Sequence, residues 1–291
     1  MRGAACDKSF RAPAGTTGAF TLPVKGGRPL FLPLQVLASL PDGSAADGAG
    51  PVITEEFPDV FLVRGASANW VIIKVPDGTN FTLIDSGYPG DHPLLLESIE
   101  SLGLKPADCV ALLVTHGHVD HIGGAARLAA DHGVPVWCHE AETANLEGPG
   151  REQVTFGQVL GKLVHRRVRH WLRMVLRLDA LKPLSVTPAR TFTDGDVLDV
   201  PGRPLVLHCP GHTSGSVAYL LDRPEGRVLI SGDTLVSDHE LLTGPVQAQL
   251  LPLFFSHDHD GLRRSFELLS SQNADVILPG HGPALRPATA G

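Results

Sequence analysis

The chain has 291 residues, 43% hydrophobic and 19% charged, the balance of an ordinary globular protein and not of a disordered one. Its formal net charge of −7 argues against a general nucleic-acid binder, because phosphate contacts need clustered Lys and Arg. No stretch stays apolar for the ~20 residues that a membrane span requires, so neither nucleic acid nor membrane is an expected partner.

Residues 1–50 are rich in Gly, Ala, Pro and Ser and read as a loosely ordered extension or a short hairpin. Within them Pro29 to Leu40 is apolar and follows Lys25 and Arg28. It starts too late for a signal peptide and contains two prolines, so a cytoplasmic protein is expected. The cysteines Cys6, Cys109, Cys138 and Cys209 form no CxxC pair and read as buried thiols in a reducing compartment.

Strands are expected from Val60: Val60–Val63, Trp70–Val75, a Pro76-Asp77-Gly78 turn, then Phe81–Ile84, an antiparallel meander. Asp91 or His92 opens a helix with Pro93 in its first turn and Gly103 beyond its end. The apolar run Val110–Val114 then leads into Thr115-His116-Gly117-His118-Val119-Asp120-His121. Imidazole is the commonest metal ligand, and His-x-His on extended chain points both rings the same way. Asp120 and His121 leave the backbone in different directions and suit a second ion. A helix from about Gly123 to Asp131 follows.

Four further apolar runs end in a Gly-bearing turn with an Asp or His. They lead into Asp85-Ser86-Gly87, Pro210-Gly211-His212-Thr213, Ser231-Gly232-Asp233-Thr234 and Pro279-Gly280-His281-Gly282. Such turns gather ligands along one edge of the sheets. Between Glu152 and Leu181, apolar positions including Leu160, Val164, Val168, Trp171 and Val175 keep helical spacing. Lys162, Arg166, Arg169, Arg173 and Arg177 form a basic stripe on another face. This reads as an amphipathic helix on the domain surface, or as a cap whose Arg169 and Arg173 attract an anionic substrate. Ser256-His257-Asp258-His259-Asp260-Gly261 reads mainly as a helix cap, with His257 and His239 as candidate substrate contacts.

Together the five motifs resemble the metallo-β-lactamase fold hydrolases, in that family's order, over roughly residues 51–291. The resemblance implies an α+β fold, a four-layer αβ/βα sandwich, with a helical cap insertion at about 145–185. It also implies two divalent ions: zinc first, with iron or manganese as alternatives. His116, His118 and His212 would hold one, and Asp120, His121 and His281 the other. Asp233 would bridge them, Asp85 would orient the ligand loop, and Asp120 would also be catalytic, orienting a metal-bound hydroxide. A bridging Asp is usual in dinuclear hydrolases similar to glyoxalase II and the lactonases, and usually absent from the true β-lactamases. Only ten residues follow His281, which argues against the C-terminal helical region of a strict glyoxalase II. Val236 replaces the Tyr common in quorum-quenching lactonases. The expected substrate is a small ester, thioester or lactone. The alternatives are an iron-dependent oxidoreductase similar to the persulfide dioxygenases, or a phosphodiesterase. The oligomeric state is open.

Overall fold

The computed structural model describes residues 50–148 and 150–287; the expectations for the N-terminal extension and Cys6 lie outside them. Among the described residues, eleven strands form two sheets. The larger follows chain order: β1 (Val52–Phe57), β2 (Val60–Arg64), β3 (Asn69–Lys74), β4 (Phe81–Ile84), β5 (Cys109–Leu113), β6 (Val136–His139) and β7 (Arg190–Phe192). Its first four strands are the expected antiparallel meander, with β1 added ahead of Val60. From β4 onward the pairing is parallel. The switch coincides with the first long connection, since parallel neighbours need a crossover that a tight turn cannot supply. That crossover holds α1 (His92–Ser101). The next holds α2 (Val119–Ile122) and α3 (Ala125–His132).

The smaller sheet has the order β11-β10-β9-β8, from β8 (Leu205–His208), β9 (Val217–Arg223), β10 (Gly226–Gly232) and β11 (Val276–Pro279). The β9–β10 hairpin is antiparallel, whereas β10 and β11 run parallel.

The layers follow from the two-residue period of the strands. Val71 and Ile73 of β3, with Ile84 and Leu113, meet Val206, Tyr219, Ile230 and Leu278 of the other sheet in a central core. Trp70 and Ile72, on the opposite face of β3, pack with Leu83 and Leu112 against Leu95 and Ile99 of α1 and Leu128 of α3. On the far side Leu220, Leu229 and Ile277 are covered by Leu269 of α7 (His259–Ser270). The result is helix, sheet, sheet, helix. Strands buried on both faces read as continuous apolar runs, and truncating one of their Leu or Ile side chains to Ala costs about 2–5 kcal/mol.

The connection from β6 to β7 contains α4 (Thr143–Glu147), α5 (Phe156–Leu160) and α6 (Arg166–Arg177). The single helix expected over 152–181 is therefore two. Thr155 and Gln158 form a capping box that starts α5 at Phe156. Arg169 Nη1 donates to the carbonyls of Leu163 and Val164 and so stabilises the turn before α6. Val164, assigned to the apolar face by its spacing, is 79% exposed. Past the break the period holds: Val168, Trp171 and Val175 are buried with Val159, Tyr88 and Val119. The Gly90 amide donates to the Leu178 carbonyl at the end of α6.

Asp258 caps α7 through the Asp260 amide, as the sequence indicates. Cys109, Cys138 and Cys209 are buried free thiols. Burial pushes the thiol of Cys209 up to about 12. No helix among the described residues is long and apolar enough to cross a membrane.

Candidate metal centre

The polar loops at the C-terminal ends of β4, β5, β8, β10 and β11 converge on one edge of the sandwich. Tyr219 of β9 donates to the Val114 carbonyl at 2.8 Å, and the Val217 amide to the Thr115 carbonyl at 3.0 Å. These bonds fix the end of β5 against the second sheet, so the His-x-His loop is set by the junction of the two sheets.

Three overlapping groups gather there: His116, His118 and His212; Asp120, His121 and His281; and His116, His121 and Asp233. Within each group the candidate ligand atoms lie within 4.8 Å of one another. All except Asp120 are buried. Asp233 stands between the first two. Its Oδ2 is 3.5 Å from His212 Nε2, 3.8 Å from His116 Nε2 and 3.2 Å from His281 Nε2. Its Oδ1 is 3.4 Å from His121 Nε2. Asp120 Oδ2 lies 3.5 Å from His281 Nε2 and 3.8 Å from His121 Nε2.

The other ring nitrogens are held from behind. His121 Nδ1 bonds Asp85 Oδ2 at 2.9 Å, His118 Nε2 the Glu152 carbonyl at 2.6 Å, and His281 Nδ1 the Ser67 carbonyl at 3.1 Å. A ring that donates from one nitrogen presents a lone pair on the other. The inward atoms are therefore His118 Nδ1 and the Nε2 of His121 and His281. His116 Nε2, His121 Nε2 and Asp233 Oδ1 are buried without a hydrogen-bond partner. Orphaned buried polar atoms are rare, and three of them aimed at one another fit a divalent cation. Imidazole and carboxylate donors without thiolate suit zinc, and also iron or manganese. Cys209 takes no part; its Sγ accepts from Thr234 Oγ1.

Asp85 also accepts from the Thr115 amide at 2.8 Å and the Thr115 hydroxyl at 2.7 Å, from a left-handed backbone with φ of 62°. An Asp in that region is a strained position kept by its surroundings. Here the three bonds supply the compensation.

Burial drives His116 and His118 below the ordinary histidine range, and His212 down to about 3. Burial opposes charge on His281 too, but Asp233 and Asp120 outweigh it and push the ring up to about 10. The same carboxylates, with Asp85, raise His121. Asp120 and Asp233, despite desolvation, are held below the usual carboxylate range by His121 and His281. Two carboxylates this close together, one of them buried, demand positive charge at this point, and imidazolium or a metal cation answers that demand.

Beside these candidate ligands lies a cavity of about 110 Å³. His118, Asp120, His212, Asp233 and His281 line one wall; Tyr88, Val159, Trp171, Leu172, Val175 and Phe255 line the others. So α6 lines the same cavity as the candidate ligands, through its apolar face. Neither Arg169 nor Arg173 is among the lining residues. Geometry explains this: the stripe lies on another face of α6, and Arg169 is engaged with backbone carbonyls. His257 is also outside the lining; its exposed ring sits 3.6 Å from Glu152 Oε1. His239 does line the cavity and stacks edge-on against His281 at 4.9 Å. It also lines a neighbouring polar groove of about 390 Å³ with Arg64, Ser67, Arg167, Asp238 and Glu240.

Residues 63–281 match the profile of the metallo-beta-lactamase superfamily. The chain belongs to that superfamily. It is 28% identical over 226 residues to the probable metallo-hydrolase YflN of Bacillus subtilis, covering 74% of this chain and 80% of that protein. It is 29% identical over 191 residues to the hydroxyacylglutathione hydrolase GloC of Haemophilus influenzae, covering 61% of this chain and 76% of that protein. Among solved structures it shares its fold with BJP-1, a subclass B3 metallo-beta-lactamase of Bradyrhizobium japonicum. The TM-score is 0.57 at 21% identity, over 80% of this chain and 78% of that one. Superfamily membership and the His/Asp groups make this chain a candidate metal-dependent hydrolase with a divalent-metal site.

Tyr88, Glu142, Glu152 and His239 gained little or no weight from the sequence. Tyr88 follows the Asp85 motif directly and was legible by position. Glu142 and Glu152 carry no motif signal; only the fold reveals what they contact.

Proposed function

We propose that this chain is a dinuclear metal-dependent hydrolase acting on an ester, thioester or lactone with a small, apolar acyl part. The observation that carries the reading is Asp233, set between two complete ligand groups beneath an apolar cavity. His116, His118 and His212 would hold one ion and Asp120, His121 and His281 the other, with Asp233 shared; zinc is the expected metal. Bound there, divalent ions would make water nucleophilic near neutral pH and polarise the scissile carbonyl.

The protein's own part is placement. The apolar wall of Trp171, Val175 and Phe255 excludes water and would take the acyl group. Asp120, partly open to the cavity, is suited to accept a proton from the attacking water. His239 Nδ1 accepts from the Leu241 amide at 3.0 Å, so the proton sits on Nε2. Burial keeps this ring neutral, pushed down to about 3, and a neutral N–H is suited to donate to the substrate. The leaving group would run into the polar groove that shares His239.

Two features favour this reading over its rivals. A mononuclear iron oxidoreductase uses fewer ligands than are gathered here. A phosphodiesterase substrate calls for basic groups, and the described lining of the cavity contains no Lys or Arg. The relationship to proteins named as hydroxyacylglutathione hydrolases favours thioesters within the class.

The test is a panel of acetyl, butyryl, octanoyl and succinyl thioesters and esters, with lactones and bis(4-nitrophenyl) phosphate, on protein of measured metal content. Short uncharged acyl groups should give the highest kcat/KM. Activity confined to the phosphodiester, or turnover at full rate after metal removal, would refute the proposal.

A further inference from the structure

Glu142 is fully buried and makes no ion pair among the described residues. Its carboxylate instead accepts four hydrogen bonds from neutral donors. Oε1 takes the Gly117 amide at 2.7 Å and Asn145 Nδ2 at 3.0 Å. Oε2 takes the Thr213 hydroxyl at 2.9 Å and the Gly215 amide at 3.0 Å. Gly117 lies between His116 and His118, and Thr213 follows His212 directly. One side chain thus joins the two loops that carry all three histidines of the first group. The nearby Arg151 guanidinium donates instead to the carbonyls of Asn145, Leu146 and Leu184 and acts on the carboxylate only through space.

The packing is built around this contact. A Cβ on Gly117 would lie 2.8 Å from Asn145 Cβ, and one on Gly215 would lie 2.4 Å from the Glu142 amide nitrogen and 2.6 Å from its Oε2. Both loops therefore press directly on the 141–145 segment, at positions that only glycine fills without displacement. Burying a carboxylate is costly unless every lone pair is satisfied. Burial raises this one above the usual range while the Gly117 amide, Thr213 and Asn145 oppose the rise. A buried anion behind three neutral imidazoles also adds to the negative potential that a cation would meet between them.

We propose that Glu142 is the positioning residue of the three-histidine half of the centre. It touches no ion, but fixes the relative placement of His116, His118 and His212, and with it that half's affinity for a divalent cation. The proposal rests on the dinuclear reading above. It also explains why a carboxylate is needed: Gln would turn an NH2 group toward either the Gly117 or the Gly215 amide, and neither of those donors can rotate away.

The experiment is a zinc titration of chelator-stripped protein against a chromophoric chelator, which resolves two stepwise constants. Long-range ¹H–¹⁵N spectra of the imidazoles identify the site each constant belongs to. Wild type should take up two ions. E142Q should bind the ion at His116, His118 and His212 about 10- to 100-fold more weakly while the other ion is retained. T213V, which deletes one of the four donors and keeps side-chain volume, should show a smaller loss at the same site. Leu269→Ala, on the face of α7 packed against the second sheet, should lower thermal stability without moving either constant. Unchanged constants in E142Q, or in T213V where E142Q fails to fold, would overturn the role of Glu142 and leave the dinuclear reading standing. A wild type that takes up no ion at the three histidines would overturn both.

Discussion

Replacing Asp85 by Asn changes one atom and should uncouple His121 from the metal. Asp85 accepts from the Thr115 amide through Oδ1, and from the Thr115 hydroxyl and His121 Nδ1 through Oδ2. In D85N the amide oxygen can serve only one of those sides. With the oxygen on the Thr115 amide, the NH2 group faces His121 Nδ1, and the ring must move its proton to Nε2. That nitrogen, 3.4 Å from Asp233 Oδ1, would then donate to Asp233 and have no lone pair for an ion. Loss of such an orienting partner typically weakens metal binding 10- to 100-fold, about 1.4–2.8 kcal/mol. With the amide flipped, the buried Thr115 N–H faces a donor, at about 1–3 kcal/mol. Either orientation is unfavourable. The backbone strain can be separated, because φ is 62°: Gly at this position should be more stable than Ala by roughly 1 kcal/mol, although both lose the hydrogen bonds. Zinc titration and the His121 ring-nitrogen shifts give the readout. D85N that kept both ions at wild-type affinity, with the His121 proton still on Nδ1, would falsify the argument.

Three further outcomes follow from side chains outside the ligand set. His92 is buried with neither ring nitrogen partnered, and burial together with the Arg127 charge lowers its proton affinity. With the folded pKa below the unfolded one, the unfolded chain takes up the proton first, so stability is present above about pH 6.5 and falls as pH drops below it. His92→Leu should therefore lose less Tm than wild type between pH 7.5 and 5.5, and equal losses would show that His92 carries none of the dependence. Arg169→Glu with Arg173→Glu should affect anionic and neutral esters alike, through about 1–3 kcal/mol of lost helix support, whereas Trp171→Ala should shift preference toward bulkier acyl groups. A selective rise in KM for the anionic ester alone would restore the basic stripe as a substrate contact.

The parts of the fold written in local pattern were legible. The meander from Val60, the helix opened at His92 and the cap at Asp258 each follow from period or end chemistry within a few residues. The seven residues expected as ligands fall into three overlapping groups, each with its candidate ligand atoms within 4.8 Å of one another, because the loops that carry them follow strands that end at one edge of the sandwich. Other features depended on contacts between distant segments. The helical period from Leu160 to Leu178 gives no sign that Arg169 would turn back on the carbonyls of Leu163 and Val164. The basic stripe was visible, but the face it occupies relative to the cavity is a tertiary fact. Glu142 sits in the unremarkable run Glu140-Ala141-Glu142, and nothing local separates it from its exposed neighbour Glu140.

The insertion between β6 and β7 is tied by hydrogen bonds near both ends, and between them α6 rests on the domain through the apolar contacts of Val168, Trp171 and Val175. At its root the Glu152 carbonyl holds His118, and the Glu152 side chain takes the Ser214 amide at 2.7 Å. At its far end Leu178 is tied to Gly90, two residues from Tyr88. A segment fastened in this way can be exchanged like the bit of a tool held in a fixed chuck. Residues 156–175 could be rewritten for another acyl shape, one lineage or one library at a time, while the grip on the ligands stays the same.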